Sequence, residues 1–411
     1  MTNKISYTVD TLVVGASLSG SVSAFILGKA GVSVALVDPQ PFPRQKACGE
    51  GLSALGQSYL KQLGLWTEAL DRASVPLFGY SIKRQDGSTV SLVSRSDAPQ
   101  CFGVSRVSLD SHVLESARCQ PSVSFVNDKV VSLEPWNGEW LCRTSNGTGI
   151  QARSVILGVG GKGFQFLSDE PASSHYADAR FGLAFWCKGG WNNGRPSVVQ
   201  IVHQPEGQYF ITPISEDTVN ISVLLQQSGR DIPAKGEMKR RGLELLRSAG
   251  FEVREVSDTR GAGEVHALRR VGHSSLYLVG DAIERFDPVG GMGMTHAVLS
   301  AALAAASVLE GRWDPGPALR KYYSARWRAA RILRLLSELS YELNVAENWA
   351  VLKLVRCAPR FSLWVTSFLR KCVPSLPRVV LDARSLGERP FASESQLPSY
   401  SFSLAIQESR S

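Results

Sequence analysis

A glycine turn wedged between two apolar runs constrains this chain more than any other feature. Residues 11–14 are apolar and β-branched, and Gly15-Ala16-Ser17-Leu18-Ser19-Gly20 follows at once. Small residues then fill 21–30, a second apolar run occupies 32–37, and Asp38 closes it. Strand, glycine turn, helix and strand in that order predict a βαβ unit. The first glycine permits the tight turn, and the last lets helix and strand pack closely. The helix N-terminus turns unpaired N–H groups and a positive dipole end toward an anion. Asp38 lies eighteen residues past Gly20, near the roughly twenty at which an acid accepts from ribose hydroxyls. The pattern predicts a dinucleotide site with one departure. Its middle glycine is Ser17, so the backbone meets a phosphate past a small side chain.

Further along, the expected elements alternate in kind. Residues 39–51 form a loop carrying Arg44, Lys46, Cys48 and Glu50. An amphipathic helix is expected over 52–65, two strands over 78–93 around Asp86-Gly87, and a helix over 109–117 with Arg106 just before it. Strands follow at 123–133 and 140–150, and a short buried strand at 154–158. Between 181 and 225 four β-type runs succeed one another without helical periodicity, which predicts an antiparallel sheet. A helix at 234–249, an apolar strand at 276–280 and an Ala-rich helix at 295–309 return to the earlier pattern. Residues 319–373 read as helical and basic, with Arg320, Lys321, Arg326, Arg328, Arg331 and Arg334 facing few acids.

Leu278-Val279-Gly280-Asp281-Ala282 ends a strand, and Pro288-Val289-Gly290-Gly291-Met292-Gly293-Met294 leads into the Ala-rich helix. A strand-end acid can accept from a polyol chain. Stacked N–H donors at a helix start suit a ring that gains negative charge on reduction. The seven scattered cysteines form no CxxC pair, which argues for a reduced, intracellular protein without structural zinc. The net charge of +8 permits an anionic partner. No basic run interleaved with aromatics points to nucleic acid, and no metal ligands are expected.

Taken together, the two glycine strings resemble the FAD-binding fold of the para-hydroxybenzoate hydroxylase superfamily over residues 9–310. That resemblance implies an α/β fold, a Rossmann-like FAD-binding domain interrupted by a mainly antiparallel β-sheet substrate domain, plus a C-terminal helical region. The domains expected are 1–75, 101–163 and 266–310 for FAD, 76–100 and 164–265 for substrate, 311–390 helical, and 391–411 a flexible tail. It further implies that Gly15, Ala16, Ser17, Leu18, Ser19, Gly20 and Asp38 hold the ADP half of FAD. It places Arg106 near the FAD phosphates and the strand backbone at Val130 beside the adenine, while the loop's own position after Asp38 lets Arg44 and Lys46 neutralise the pyrophosphate and Cys48-Gly49 bring backbone close to the ring. Gly280 and Asp281 take the ribityl chain, and Pro288, Gly290, Gly291, Met292, Gly293 and Met294 the edge of the ring. Pocket candidates are Cys48, Tyr209, Phe210 and His296.

Within the superfamily, Pro43-Arg44-Gln45-Lys46-Ala47-Cys48-Gly49-Glu50-Gly51 resembles the branch of geranylgeranyl reductases, related monooxygenases and some halogenases. The expected activity is FAD-dependent monooxygenation of a lipophilic or aromatic small molecule through a flavin C4a-hydroperoxide. NADH or NADPH is the electron donor and dioxygen the co-substrate. Alternatives are reduction of isoprenoid double bonds, halogenation, or a non-catalytic flavoprotein. Gln208 and Thr212 stand where the reductases have aromatics, and Trp186 and Trp191 are not spaced as the halogenase tryptophan pair. Val159-Gly160-Gly161 lacks the acid that hydroxylases carry after this strand, which leaves room for a separate flavin reductase. The expected location is cytoplasmic, with peripheral membrane association through the basic C-terminal helices as a further expectation.

Overall fold

The computed structural model describes residues 5–93, 98–161, 164, 166–167, 172–175, 181–225, 233–262, 267–270, 275–311, eight positions between 322 and 335, and 375–382. The opening strand, Tyr7–Val14, is the hub of a seven-stranded sheet. It lies parallel to Val34–Val37 on one side and Gly149–Leu157 on the other. Val123–Val126 extends the parallel set beyond Val34–Val37, and Leu276–Leu278 extends it beyond Gly149–Leu157. The sheet is thus completed by a strand that arrives late in the chain, as the returning apolar run at 276–280 predicts.

Val34–Val37 and the segments 12–14 and 155–157 are apolar because both faces are covered there. Val13, Leu36, Ile156 and Tyr277 face a core shared with the helices Leu18–Lys29, Arg106–Arg118 and Gly293–Glu310. Leu12, Val14, Val37, Val155 and Leu157 face the other core, which the antiparallel strands Val130–Trp136 and Glu139–Thr144 close. Gly293–Glu310 is long and apolar enough to cross a membrane by length and composition, yet most of it is buried inside this core.

An eight-stranded sheet makes the second layer, in the order Phe251–Val256, Phe181–Trp191, Thr218–Leu225, Gly207–Pro213, Val199–Gln204, Gly79–Lys83 and Thr89–Val93. Arg260–Ala262 adds to Phe181–Trp191, and the one parallel pairing joins Val199–Gln204 to Gly79–Lys83. Phe185, Tyr209, Ile211, Ile221 and Val223 pack beneath the helix Lys235–Ser248. Alternation along each strand therefore turns Trp186, Phe210, Thr212, Asn220, Ser222 and Leu224 the other way, toward the first sheet.

Two small sheets cross the domain limits expected from sequence. Val75–Leu77 and Gly51–Ser53 both pair with Cys101–Gly103, and Ala172–His175 and Glu284–Arg285 both pair with Ala267–Arg270. The two halves therefore share strands rather than meeting at a hinge. Most of the expected C-terminal helical region, including Arg320, Lys321 and Arg334, lies outside the described residues, as does the tail 391–411. Arg328 and Arg331 are exposed. Arg326, expected on the same basic face, is buried instead and pairs with Glu284 at 2.7 Å.

Candidate active site

A cavity of about 650 Å³ opens between the two sheets. Gly15, Ser17, Asp38 and Gly158–Gly161 line it at the ends of the first sheet's strands, Asp281 and Arg285 from the segment after Leu276–Leu278, and Tyr80, Val199, Phe210, Thr212, Ser222 and Leu224 from the second sheet. The loop carrying Arg44, Lys46, Cys48 and Glu50, and the turn carrying Pro288, Gly291, Met292, Gly293 and Met294, complete the wall. Two glycine strings far apart in sequence thus share one space.

The opening turn is as tight as its glycines suggest. Gly15 has φ +96°, and a Cβ there would lie 2.6 Å from the Gly158 carbonyl oxygen. A Cβ on Gly20 would lie 1.7 Å from the Gly15 carbonyl oxygen, so a side chain would push helix and strand apart. Ser17 fills the middle glycine position without obstructing the turn, because its hydroxyl is tied behind it. It donates to Asp110 Oδ2 at 2.8 Å and accepts from Arg106 Nη2 at 3.0 Å. No side chain caps the helix at Ser17, which leaves its first N–H groups to a ligand. Asp38 accepts from the Ala16 N–H at 2.7 Å and from the Gln40 N–H at 2.9 Å, linking the strand end to the turn.

Several predicted residues take other positions. Arg44 binds Asp38 through both terminal guanidinium nitrogens, at 2.6 and 3.0 Å, and is thereby held at that acid. Arg106 does not line the cavity. It is buried behind the turn and forks onto Asp110 at 2.9 and 2.7 Å. Burial acts upward on the Asp110 carboxyl, but Arg106 outweighs it and holds the group below the usual carboxylate range. The Val130 side chain packs in the core, and its backbone is the part the expectation concerns. Tyr209 points to the helix side of its strand and donates to Glu206 at 2.7 Å, while its neighbour Phe210 reaches the cavity. His296 is buried with its ring 4.8 Å from Phe286, within the helical core. The side chains of Ala16, Leu18 and Ser19 are buried behind the first turn, and Gly20, Gly280 and Gly290 present backbone alone.

The late string supplies the opposite wall. Gly280 donates its N–H to Ser300 Oγ at 2.9 Å, fixing the strand end to the helix Gly293–Glu310. Asp281 stands 3.8 Å from Lys46, so the first loop and the last strand meet across the cavity. Asp287 accepts from the Val289 N–H at 2.9 Å, and Met292 starts the helix without a side-chain cap. A second set of open helix N–H groups therefore faces the same space as the first.

The largest omission in the sequence reading is Glu50. Its backbone is left-handed at φ +54°, unusual for a residue with a side chain. Its carboxyl is buried and accepts from the Arg106 N–H, the Trp186 indole and the Asn220 amide. Burial pushes it up to about 7, against those hydrogen bonds. Its acidic type between Gly49 and Gly51 is visible in the sequence, but its partners are not. On the second sheet, burial pushes the Cys101 thiol up to about 12, and Cys101 together with burial holds the Tyr80 phenol well above its usual range. That part of the wall is uncharged at neutral pH.

Two glycine approaches, two open helix N-termini and two strand-end acids match a dinucleotide whose second half carries a reducible ring. The model of the FAD binding domain family matches residues 8–134. The chain carries an FAD-binding domain. The flavoprotein is 45% identical to menaquinone reductase of Mycolicibacterium smegmatis over 56 residues, 14% of each chain. Its match spans only 12–14% of the length of the first of its curated relatives. A longer similarity, 25% identity over 362 residues, covers 80% of this chain and 79% of kynurenine 3-monooxygenase of Salinispora arenicola. The solved structure of the flavin-dependent brominase Bmp2 shares the fold with a TM-score of 0.71 at 16% identity, over 92% of this chain and 98% of that one.

Proposed function

We propose that this flavoprotein is a monooxygenase that hydroxylates or epoxidises a lipophilic or aromatic small molecule, with dioxygen as co-substrate and NADH or NADPH as electron source. One observation carries this reading. The cavity that holds both glycine strings continues without a break to the uncharged wall of Tyr80, Cys101, Val199, Phe210 and Leu224. FAD, when bound, supplies the electron transfer and oxygen chemistry that side chains cannot.

The remaining work falls to the chain's own residues. Asp38 and the open N-terminus of Leu18–Lys29 would hold the nucleotide half, and Asp281 would accept from the polyol chain. The N–H groups at the start of Gly293–Glu310 stabilise negative charge on a reduced ring. Phe210, Val199 and Leu224 exclude water and orient an apolar substrate.

The short match to a menaquinone reductase supports a second reading, a reductase, and the loop at 43–51, which resembles that of geranylgeranyl reductases, makes its substrate an isoprenoid double bond. The similarity to a monooxygenase over most of the chain favours oxygenation. Halogenation ranks below both. Trp186 is bound to Glu50, and Trp191 stacks edge-on against Phe251 on the helix side of its sheet.

The test is to purify the protein with FAD and supply NADH or NADPH in air with aromatic and prenylated compounds. Products are followed by mass. Addition of one oxygen atom supports oxygenation, and addition of two hydrogens supports the reductase reading. Protein that neither retains nor rebinds FAD sinks both. Flavin reduction only after a flavin reductase is added assigns electron delivery to a separate protein.

A further inference from the structure

Glu50 is where the cofactor loop, the helix Arg106–Arg118 and the second sheet converge. The Arg106 N–H, at that helix's N-terminus, meets Oε1 at 2.7 Å. From two neighbouring strands of the sheet, Trp186 Nε1 meets Oε2 at 2.6 Å and Asn220 Nδ2 at 3.2 Å. Asn220 also donates to the Cys48 carbonyl at 3.0 Å, so the sheet holds the loop at two points. The Glu50 backbone is pinned as well, accepting from the Val104 N–H at 2.9 Å. A left-handed conformation held by this many contacts marks a position whose geometry matters.

Among the described residues, the charged and titratable groups that face it are Arg106 on the helix and Cys48 on its own loop, and Arg106 is in turn paired with Asp110, on which Lys46 also acts. The partners the sheet contributes among the described residues are neutral, Trp186 and Asn220. Arg106 directs its guanidinium at Asp110 and Ser17, so it is the backbone N–H, not the guanidinium, that meets Glu50. A carboxylate satisfies all three donors at once. A carboxylic acid gives up one lone pair to its O–H, and the hydrogen bonds it still accepts lose the charge that strengthens them.

We propose that Glu50 is a positioning residue whose ionised carboxylate locks the cofactor loop to the substrate sheet, and that protonation releases the lock and weakens the hold on FAD. This deepens the flavoprotein reading of the same cavity and rests on it. The carboxyl sits at about 7, so its charge changes close to neutral pH.

The test has two readouts. FAD is titrated into the protein by flavin fluorescence quenching across the neutral range, and tryptophan fluorescence is titrated with acid in the absence of flavin. The wild type should bind FAD about tenfold more weakly on the acid side, the scale of one charge-assisted hydrogen bond. Its tryptophan signal should titrate near neutrality. Glu50→Gln should bind weakly and uniformly at every pH and lose that tryptophan transition. Glu50→Asp should restore a pH-dependent response, because it restores the carboxylate. Asn220→Ala keeps the acid and removes a donor that favours its charged form, so its midpoint should move upward. That variant keeps the proposal open to refutation if Glu50→Gln does not fold.

Glu50→Gln with the wild-type pH profile for FAD, or with an unchanged tryptophan transition, overturns the proposal. So does an Asn220→Ala midpoint that stays put or falls. Absence of FAD binding at any pH refutes the flavin reading instead, and the lock is then judged on the tryptophan titration alone.

Discussion

Burying the Glu50 carboxylate should make this protein less stable as pH rises, and Glu50→Gln should remove that dependence. Burial lifts the group from an ordinary 4.5 to about 7. Between those values the folded state binds the proton and the unfolded chain does not, so unfolding becomes easier with each step upward in pH. The contribution is fully present below 4.5 and is lost as pH rises through 7. A difference of this size corresponds to about 3 kcal/mol over the whole window, and to about 2.5 kcal/mol between about pH 5 and about pH 8.5.

The neutral amide carries no such term, so the wild type minus Glu50→Gln difference isolates it from the other titrating groups. Urea unfolding of both proteins at the two pH values is the assay. With an m-value of about 3 kcal/mol/M, the gap between their midpoints should change by roughly 0.8 M, in favour of the variant at high pH. A gap that stays constant, or that opens in favour of the wild type at high pH, refutes the argument that burial dominates this group. The lock would then be formed at no cost in stability.

Three further outcomes follow from the geometry. Arg326→Met leaves Glu284 buried without its guanidinium partner and should cost about 3–5 kcal/mol, read by urea unfolding; adding Glu284→Gln should recover part of that loss. Gly20→Ala places a Cβ 1.7 Å from the Gly15 carbonyl oxygen, so it should cost about 1–3 kcal/mol and abolish FAD retention on gel filtration, whereas Ser17→Gly should retain FAD. Asp281→Ala should lose FAD while its far-ultraviolet circular dichroism stays as in the wild type, and Tyr209→Phe, altered on the helix side of its strand, should bind FAD normally.

What the sequence determined on its own is local. A β-branched run before Gly15, small residues after it and Asp38 at the correct remove specify a βαβ unit, because strand period, turn and helix are properties of neighbouring residues. The return of the pattern at 276–294 announces a second contribution to the same domain, and the change of periodicity after 181 announces the inserted sheet. The alternation of Gln208 to Pro213 is equally legible. Which of its two faces meets the cavity is not, since that depends on where the helix Lys235–Ser248 lands. This is why Phe210 lines the site and Tyr209 does not.

Arg44 and Arg106 were legible as cations near phosphates. Their actual partners, Asp38 and Asp110, are set by packing that no spacing rule contains. Glu50 shows the division most clearly. Its acidic type is written in the chain, but its role comes from Arg106, Trp186 and Asn220, brought in from 56, 136 and 170 residues away. Hydrogen bonds at that separation exist only once two sheets have closed on each other. It is the same closure that removes water and lifts the carboxyl to about 7.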